Sequence, residues 1–197
     1  SFTHFRHNKA DPKSIISDTV FSVVIDHTGK LWIGTNKGLE KFDAKSNSFI
    51  HIPTIVQENS ANRGISVFVI YEDKKGIIWF SSGDPINNVT KNGGLIRLDP
   101  ATGKQTFYKA DPLNPNALIN SFIVAIFEDS KGNFWVGTSG IGLHTLNRET
   151  GKFTRHLFDP IDVFPFGIIG VLTIKNSSKN QRLGDIIANT TVVEVKK

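Results

Sequence analysis

The chain alternates short apolar runs with polar turns, and the order of these runs repeats. The first run, VFSVVI at 20–25, is nearly all apolar, which predicts a strand buried on both faces. The turn D-H-T-G at 26–29 and a second run, LWIGT at 31–35, follow it. Residues 38–43 alternate polar and apolar positions, and residues 49–52 form a fourth run after another turn. This order predicts four antiparallel strands joined by tight turns.

The motif Asp-x-x-Gly-x-φ-Trp, in which φ is apolar, occurs three times and ends at Trp32, Trp79 and Trp135. Aspartate at the first position of a type I turn accepts hydrogen bonds from the backbone that follows, and glycine supplies the positive φ that closes the turn. The copies lie 47 and 56 residues apart, and an offset of 103 aligns the first with the third, so that Pro12 matches Pro115. We interpret each tryptophan as core packing between neighbouring sheets.

Four strands in every 47 to 56 residues are typical of a β-propeller blade. The sequence therefore predicts an all-β fold, an incomplete β-propeller of three four-stranded antiparallel blades at about 1–52, 53–108 and 109–158. A short C-terminal tail of separate origin, 159–197, follows. Because propellers close with about four to eight blades, three blades leave two apolar faces, each a site for self-association. We expect residues 161–174 to cover the last blade in part.

The glycine-rich stretch at 137–142 does not predict a nucleotide site. Phosphate-binding loops open a helix whose N-terminal amides hold the anion, whereas a strand follows here. The histidines have no metal-ligand spacing, and the motif aspartates are turn residues, so neither a metal site nor a catalytic acid–base pair is expected. No cofactor is expected either.

Composition and charge exclude further classes. The chain has no cysteine, which rules out disulfides, thiolate zinc sites and cysteine nucleophiles. Its net charge of +5 is a mild basic bias, and the local excess near the C-terminus fits a solvated or membrane-facing tail better than a nucleic-acid site. We therefore expect no nucleic-acid partner.

The residues that carry the repeat resemble a known family. The stretches DPKSIISDTVFSVVIDHTGKLWIGTNKGLEKFD and NPNALINSFIVAIFEDSKGNFWVGTSGIGLHTLN are similar to the two-component regulator propeller repeat, over about residues 1–158. The middle copy departs from it, with Phe80-Ser81-Ser82 in place of φ-Gly-Thr. The resemblance implies a periplasmic or extracytoplasmic sensor propeller of the kind found in hybrid histidine kinases, coupled to a kinase module in a longer chain. It implies no catalytic residues, because the shared motif is structural.

The C-terminal tail resembles a different family. The ending QRLGDIIANTTVV, within about 161–195, is similar to the close of RDD-family membrane proteins. The earlier membrane helices and the Arg-Asp-Asp signature of that family are absent from the chain. The resemblance implies membrane contact through the tail, and the alternative is a short buried strand pair with an amphipathic turn.

The loops suggest where a ligand would bind. The middle copy is nine residues longer than the first, and the extra length lies between its second and third strands, on the face that also carries the inter-blade loops. An amide-rich rim bearing basic side chains suits oligosaccharides or other small hydroxyl-rich or acidic ligands. The candidate ligand-binding residues are Arg63, Asn87, Asn88, Lys91, Asn92, Asn114 and Asn116. The alternative is that these are ordinary polar loops.

These observations predict a non-catalytic, ligand-sensing propeller of a signal-transduction receptor. Two alternatives stay open at this point. One is a structural or protein-interaction propeller, which would use the exposed blade faces. The other is a polysaccharide-active lyase or hydrolase, which would show carboxylates with raised pKa values clustered on the rim.

Overall fold

The described part of the chain forms three four-stranded antiparallel sheets, and in each sheet the strands are adjacent in chain order. The structure, a computed structural model, describes residues 2–56, 65–83, 93–139 and 142–156, and these residues form twelve strands and no helix. Blade 1 consists of β1 (Val20–Ile25), β2 (Leu31–Thr35), β3 (Leu39–Asp43) and β4 (Ser48–Ile52). Blade 2 consists of β5 (Ile70–Glu72), β6 (Ile78–Ser82), β7 (Gly94–Leu98) and β8 (Gln105–Lys109). Blade 3 consists of β9 (Ile123–Glu128), β10 (Phe134–Thr138), β11 (Gly142–Asn147) and β12 (Lys152–His156). The predicted all-β fold with three four-stranded blades is confirmed.

The motif turns form as the sequence predicts. Gly29, Gly76 and Gly132 have φ angles of 80°, 74° and 84°, values that favour glycine. The amide of each glycine donates to the carbonyl oxygen of the motif aspartate three residues earlier, at 2.8, 2.9 and 3.1 Å. The turn therefore fixes the register of the first two strands in every blade.

The blades stack through two unlike faces. We call the face that carries the motif tryptophan the front face, and the opposite one the back face. The front face of blade 1, with Trp32 and Leu39, packs in one apolar cluster with Ile78 and Phe80 on the back face of blade 2. The front face of blade 2 packs in the same way on the back face of blade 3, where the ring centroid of Trp79 lies 4.5 Å from that of Phe134.

Two faces at the ends of the stack are apolar and exposed within the described residues. On the back face of blade 1, Val23 and Ile25 are 57% and 68% exposed. On the front face of blade 3, Phe127 is 58% exposed and Trp135 is half-buried. The strand at 20–25 is therefore not buried on both faces, because no described blade covers its back face.

The tail lies outside the described residues. The separate tail at 159–197, its relation to RDD-family proteins and the cap at 161–174 therefore remain predictions. The part of the chain that the structure describes contains no helix with the length and hydrophobicity that a membrane span requires.

Candidate functional site

The motif tryptophans have the same polar partner in every blade. The indole N–H of Trp32 donates to Asp26 Oδ2 at 2.8 Å. The matching bonds, Trp79 to Asp73 and Trp135 to Asp129, measure 2.9 and 3.0 Å. The aspartate thus closes the turn with Oδ1 and fixes the indole with Oδ2, so its role is structural.

These bonds perturb the aspartates. Burial raises the pKa of Asp26, but hydrogen bonds from Thr28, Trp32 and the backbone outweigh it and lower the pKa to about 2. The bond from Trp135, followed by that from Asn133, lowers the pKa of Asp129 to about 2. A carboxylate with so low a pKa is a poor proton donor or acceptor near neutral pH.

A second carboxylate joins neighbouring blades on the same side, which we call the turn face. Glu72, at the end of β5, accepts from the backbone N–H of His27 at 2.8 Å. Glu128, at the end of β9, accepts from the backbone N–H of Lys74 at 3.2 Å. The corresponding position of β1 is Ile25, since the same offsets of 47 and 103 relate all three. Glu72 therefore links blade 2 to blade 1, and Glu128 links blade 3 to blade 2.

Arg148 strengthens the junction between blades 2 and 3. Its guanidinium donates to Glu128 at 2.8 Å and to Asp73 of the preceding blade at 3.1 Å. The bond from Arg148 lowers the pKa of Glu128, and the same bond raises the pKa of Arg148. Both carboxylates are almost fully buried and paired, so they hold the blades together.

Glu40 is a buried carboxylate on β3. It accepts from the backbone N–H of Ile16 at 3.1 Å and lies 2.6 Å from Nδ1 of His51 on β4. Burial raises the pKa of Glu40 despite these bonds. In blade 3 the matching residue is His144, whose Nε2 accepts from the backbone N–H of Ile119 at 3.3 Å. This position fixes the segment that enters each of these two blades.

The carboxylates do not form a catalytic pair. The motif aspartates are held by bonds within the turns, Glu72 and Glu128 by inter-blade bonds, and Glu40 by bonds to Ile16 and to His51. Among the described residues no group of three or more His, Cys, Asp or Glu could hold a metal ion. In the described segments, the arrangement of carboxylates supports the architecture.

The opposite side of the blades, the loop face, has an aromatic inner edge. Phe21, Phe68 and Phe122 lie one per blade at the start of the innermost strands. The ring centroids of Phe21 and Phe68 are 5.1 Å apart, and those of Phe68 and Phe122 are 5.3 Å apart. All three side chains are half-buried, so the row is continuous across the blades and partly open to solvent.

Polar groups flank this row. The amide of Asn36 donates to Thr19 O at 3.2 Å and the amide of Ser139 donates to Phe122 O at 2.9 Å. These bonds hold the connections after β2 and β10 against the start of the inner strand of the same blade. Asn36 and Ser139 are exposed. Aromatic surface with a few convergent polar groups is the usual make-up of a small-molecule site, and the inner edge is therefore our candidate site.

Two of the predicted ligand-binding residues lie elsewhere on the described structure. Asn114 and Asn116 are exposed and belong to the segment that packs on β12, the outer strand of blade 3. The carbonyl of Asn116 accepts from Phe153 N–H at 2.8 Å, and Asn114 Oδ1 accepts from Asn116 N–H at 3.0 Å. Three strand spacings, roughly 14 Å, separate an outer strand from an inner one. These asparagines are thus not part of the phenylalanine row.

The other predicted residues lie outside the described residues, namely Arg63, Asn87, Asn88, Lys91 and Asn92. The chain enters and leaves these two segments on the loop face, because Val56, Ile65, Gly83 and Gly93 flank them. Their role in ligand binding remains a prediction.

Sequence reasoning missed two features. The six-residue spacing from Asp to Trp is visible in the sequence and could have indicated the bond between their side chains. The phenylalanine row carries only part of such a signal, because Phe68 matches Phe21 under the 47-residue offset whereas Phe122 matches Thr19 under the 103-residue offset.

The described residues thus define an all-β protein of propeller blades, with structural carboxylates on the turn face and an aromatic and polar inner edge. A family model described as two component regulator propeller matches residues 14–37 and 117–140. These are the first hairpins of blades 1 and 3 with the segments that lead into them. No curated protein sequence matches the chain.

Solved structures share this fold. The chain is similar to the extracellular domain of a hybrid two component system from B. thetaiotaomicron, with 24% identity and a TM-score of 0.59, over 78% of this chain and 19% of that one. It is also similar to the extracellular domain of a second such system from B. thetaiotaomicron, with 20% identity and a TM-score of 0.60, over 78% and 18%. The chain spans about a fifth of the length of these structures.

Proposed function

We propose that this chain is part of the ligand-sensing region of a signal-transduction receptor, positioned outside the cytoplasm and without catalytic activity. The observation that supports this most directly is the pair of two component regulator propeller matches, each on a hairpin that begins a blade. In a longer protein the signal would pass to a histidine kinase module, as the resemblance to the propeller family implies, and the similar solved structures are extracellular domains of hybrid two component systems. The tail, by its resemblance to RDD-family proteins, would provide membrane contact.

The ligand in this proposal is an oligosaccharide or a similar hydroxyl-rich small molecule bound on the loop face. The phenylalanine row offers apolar surface, and the side chains of Asn87, Asn88 and Asn92 would offer amide donors and acceptors. Arg63 and Lys91 would add charge for acidic sugars.

The test is titration calorimetry of the chain with a panel of oligosaccharides, neutral and acidic. Combined replacement of Arg63, Asn87 and Asn88 by Ala should weaken binding at least tenfold, because three side-chain donors are lost. Thr102→Ala and Lys104→Ala, on the turn-face connection between β7 and β8, serve as controls and should leave binding unchanged. Equal binding by the triple variant would remove the rim from the proposal, and no binding by any sugar would remove this ligand class.

A protein-interaction propeller is the second candidate, since two apolar blade faces are exposed among the described residues. The protein-interaction candidate is favoured if none of the oligosaccharides binds and the chain self-associates through those blade faces. The lyase or hydrolase alternative needs carboxylates with raised pKa values on the rim. The described carboxylate with a raised pKa is Glu40, and it is enclosed between His51 and the backbone of Ile16.

A further inference from the structure

The segment at residues 2–10 matches the outer strand of blade 2 and the turn after it. With the offset of 103 that relates copies one and three, Phe2 to Arg6 align with β8, and Phe5 aligns with Tyr108. The turns after them have the same hydrogen bonds. Lys13 N–H donates to Asp11 Oδ1 at 2.9 Å, and Asn116 N–H donates to Asn114 Oδ1 at 3.0 Å.

The remaining turn bonds agree as well. Ala10 N–H donates to Asn8 Oδ1 and Leu113 N–H donates to Asp111 Oδ1, both at 3.0 Å. The amides of Ser14 and Ala117 donate to the carbonyls of Asp11 and Asn114, both at 3.0 Å. The two segments therefore have the same backbone path into the blade that follows them.

The aromatic contacts place Phe5 where Tyr108 lies. Tyr108 packs edge-on against Phe153 of the next blade, with centroids 6.0 Å apart and planes at 83°. Phe5 packs edge-on against Phe49, the residue of blade 1 that matches Phe153, with centroids 5.3 Å apart and planes at 84°. Phe5 thus occupies, on the back face of blade 1, the place of an outer-strand residue from a preceding blade.

The segment lacks the rest of that blade. Tyr108 pairs with Leu95 in the ladder between β8 and β7, whereas residues 2–6 pair with none of the described strands. Each described sheet already has its own fourth strand, β4, β8 or β12. Beside Phe5, the innermost part of the same back face is left open at Val23 and Ile25.

We infer that residues 2–6 are the fourth strand of a further blade and that they form a docking edge for a three-stranded antiparallel sheet of the same repeat. That sheet would hydrogen-bond to residues 2–6 and lay its tryptophan-bearing front face on Val23 and Ile25. The two inter-blade contacts already present use the same pair of faces.

A second copy of the described blades does not fit this edge. In blade 3, His156 occupies the position of Tyr108, since it pairs with Leu143 at the end of β12 and its ring lies 5.3 Å from that of Trp135. Docking blade 3 of another copy on this face would therefore place His156 where Phe5 lies. The partner is a sheet without a fourth strand.

The test is to supply such a sheet to the full chain. A copy of residues 65–104, which contains β5, β6 and β7 with the turn that precedes β8, is joined directly to Phe2, so that residues 2–6 follow in place of β8. Deuterium uptake at the amides of residues 3–6 should slow by at least about 100-fold relative to the unmodified chain, because these amides enter a ladder. The matched control carries Thr3→Pro and His4→Pro in the same fusion and should lose the protection.

A fusion with residues 65–109, which brings its own β8, is the reference for a complete added blade. The inference is overturned if the added strands become protected while residues 3–6 do not. It is also overturned if the blade with its own β8 folds and the blade that depends on residues 2–6 does not. Failure of both fusions to protect the added strands would overturn it too, since blade 1 would then not accept a blade on this face.

Discussion

Gly34 shows how one residue permits two blades to meet. A Cβ atom at this position would lie 2.5 Å from the carbonyl oxygen of Val67 and 2.6 Å from Ser22 Oγ. The backbone of Val67 runs close by, since its N–H donates to Thr35 O at 2.8 Å. The glycine of the motif in blade 1 is therefore explained by the approach of the next blade's chain.

Gly34→Ala should lower the free energy of unfolding by about 1–3 kcal/mol, the usual cost of forcing an extra methyl group into a packed contact. Urea denaturation measures it. The matched control is Gly137→Ala, the same motif position in blade 3, where the nearest atom to the added methyl would be Ala125 Cβ at 3.4 Å. That change should be neutral or stabilising by up to about 1 kcal/mol, because alanine loses less backbone entropy than glycine in a strand. Equal destabilisation by both variants would contradict the explanation.

The middle blade has a different residue at this position. Ser81 takes the place of Gly34, and its hydroxyl oxygen accepts from the backbone N–H of Phe68 at 2.9 Å and of Val69 at 3.1 Å. The departure from the motif at Phe80-Ser81-Ser82 thus changes how the backbone groups are satisfied and leaves the blade intact.

At the scale of the element, the first hairpin of each blade is a self-contained unit. Within seven residues the motif supplies the aspartate that closes the turn, the glycine with positive φ and the tryptophan bound to that aspartate. The strand bounds predicted from the sequence agree with the structure to within one residue in blade 1. Local chemistry determines these hairpins, so sequence reasoning succeeds on them.

The ionisation of Asp26 in this hairpin makes the stability of the protein depend on pH. The pKa of Asp26 falls from 3.8 to about 2 on folding, so its ionised form stabilises the protein above pH 3.8, and that contribution is lost as the pH falls through about 2. Asp26→Asn should therefore be less stable than the parent at pH 6, and the gap should narrow by about 2 kcal/mol on going to pH 2. Urea denaturation at both pH values gives the comparison. If the difference in the free energy of unfolding between the parent and Asp26→Asn is the same at pH 6 and pH 2, folding does not lower the pKa of Asp26 in this way.

The junctions between elements were harder to foresee. Arg148 reaches Asp73 across 75 positions of sequence, and Glu72 binds the backbone of His27 across 45. No local spacing connects such residues, because the stacking of blades alone brings them together. The repeat does place Glu72 and Glu128 at equivalent positions, which is the one sequence signal for these contacts.

At the scale of the molecule, the stack of described blades ends in two different surfaces. The front face of blade 3 has a shallow hollow of about 320 Å³, lined by Ala125, Phe127, Trp135, Gly137 and Leu143. The back face of blade 1 is shared between Phe5 and the exposed side chains of β1. Exposed apolar surface of this kind promotes association.

We expect the front face of blade 3 to pair with the same face of a second copy. Phe127→Asp should shift the monomer–dimer equilibrium towards monomer by at least tenfold, because a charge would have to be buried in the contact. Sedimentation velocity over a range of concentrations measures this. Leu113→Asp is the control, since Leu113 is 94% exposed on a loop and lies outside the hollow. If both variants associate like the parent, the front face is not the contact.

The sequence by itself determined the strands, the turns and the number of blades in the described chain, because each depends on residues close together in sequence. Periodicity, Asp and Gly at turn positions and the recurrence of Trp were sufficient. The tertiary structure alone decided which tryptophan stays partly exposed, how Phe21, Phe68 and Phe122 form a row, and that Phe5 packs on Phe49 at the back face of blade 1. These depend on which faces meet, and identical motifs acquire different surroundings according to whether a blade lies against them.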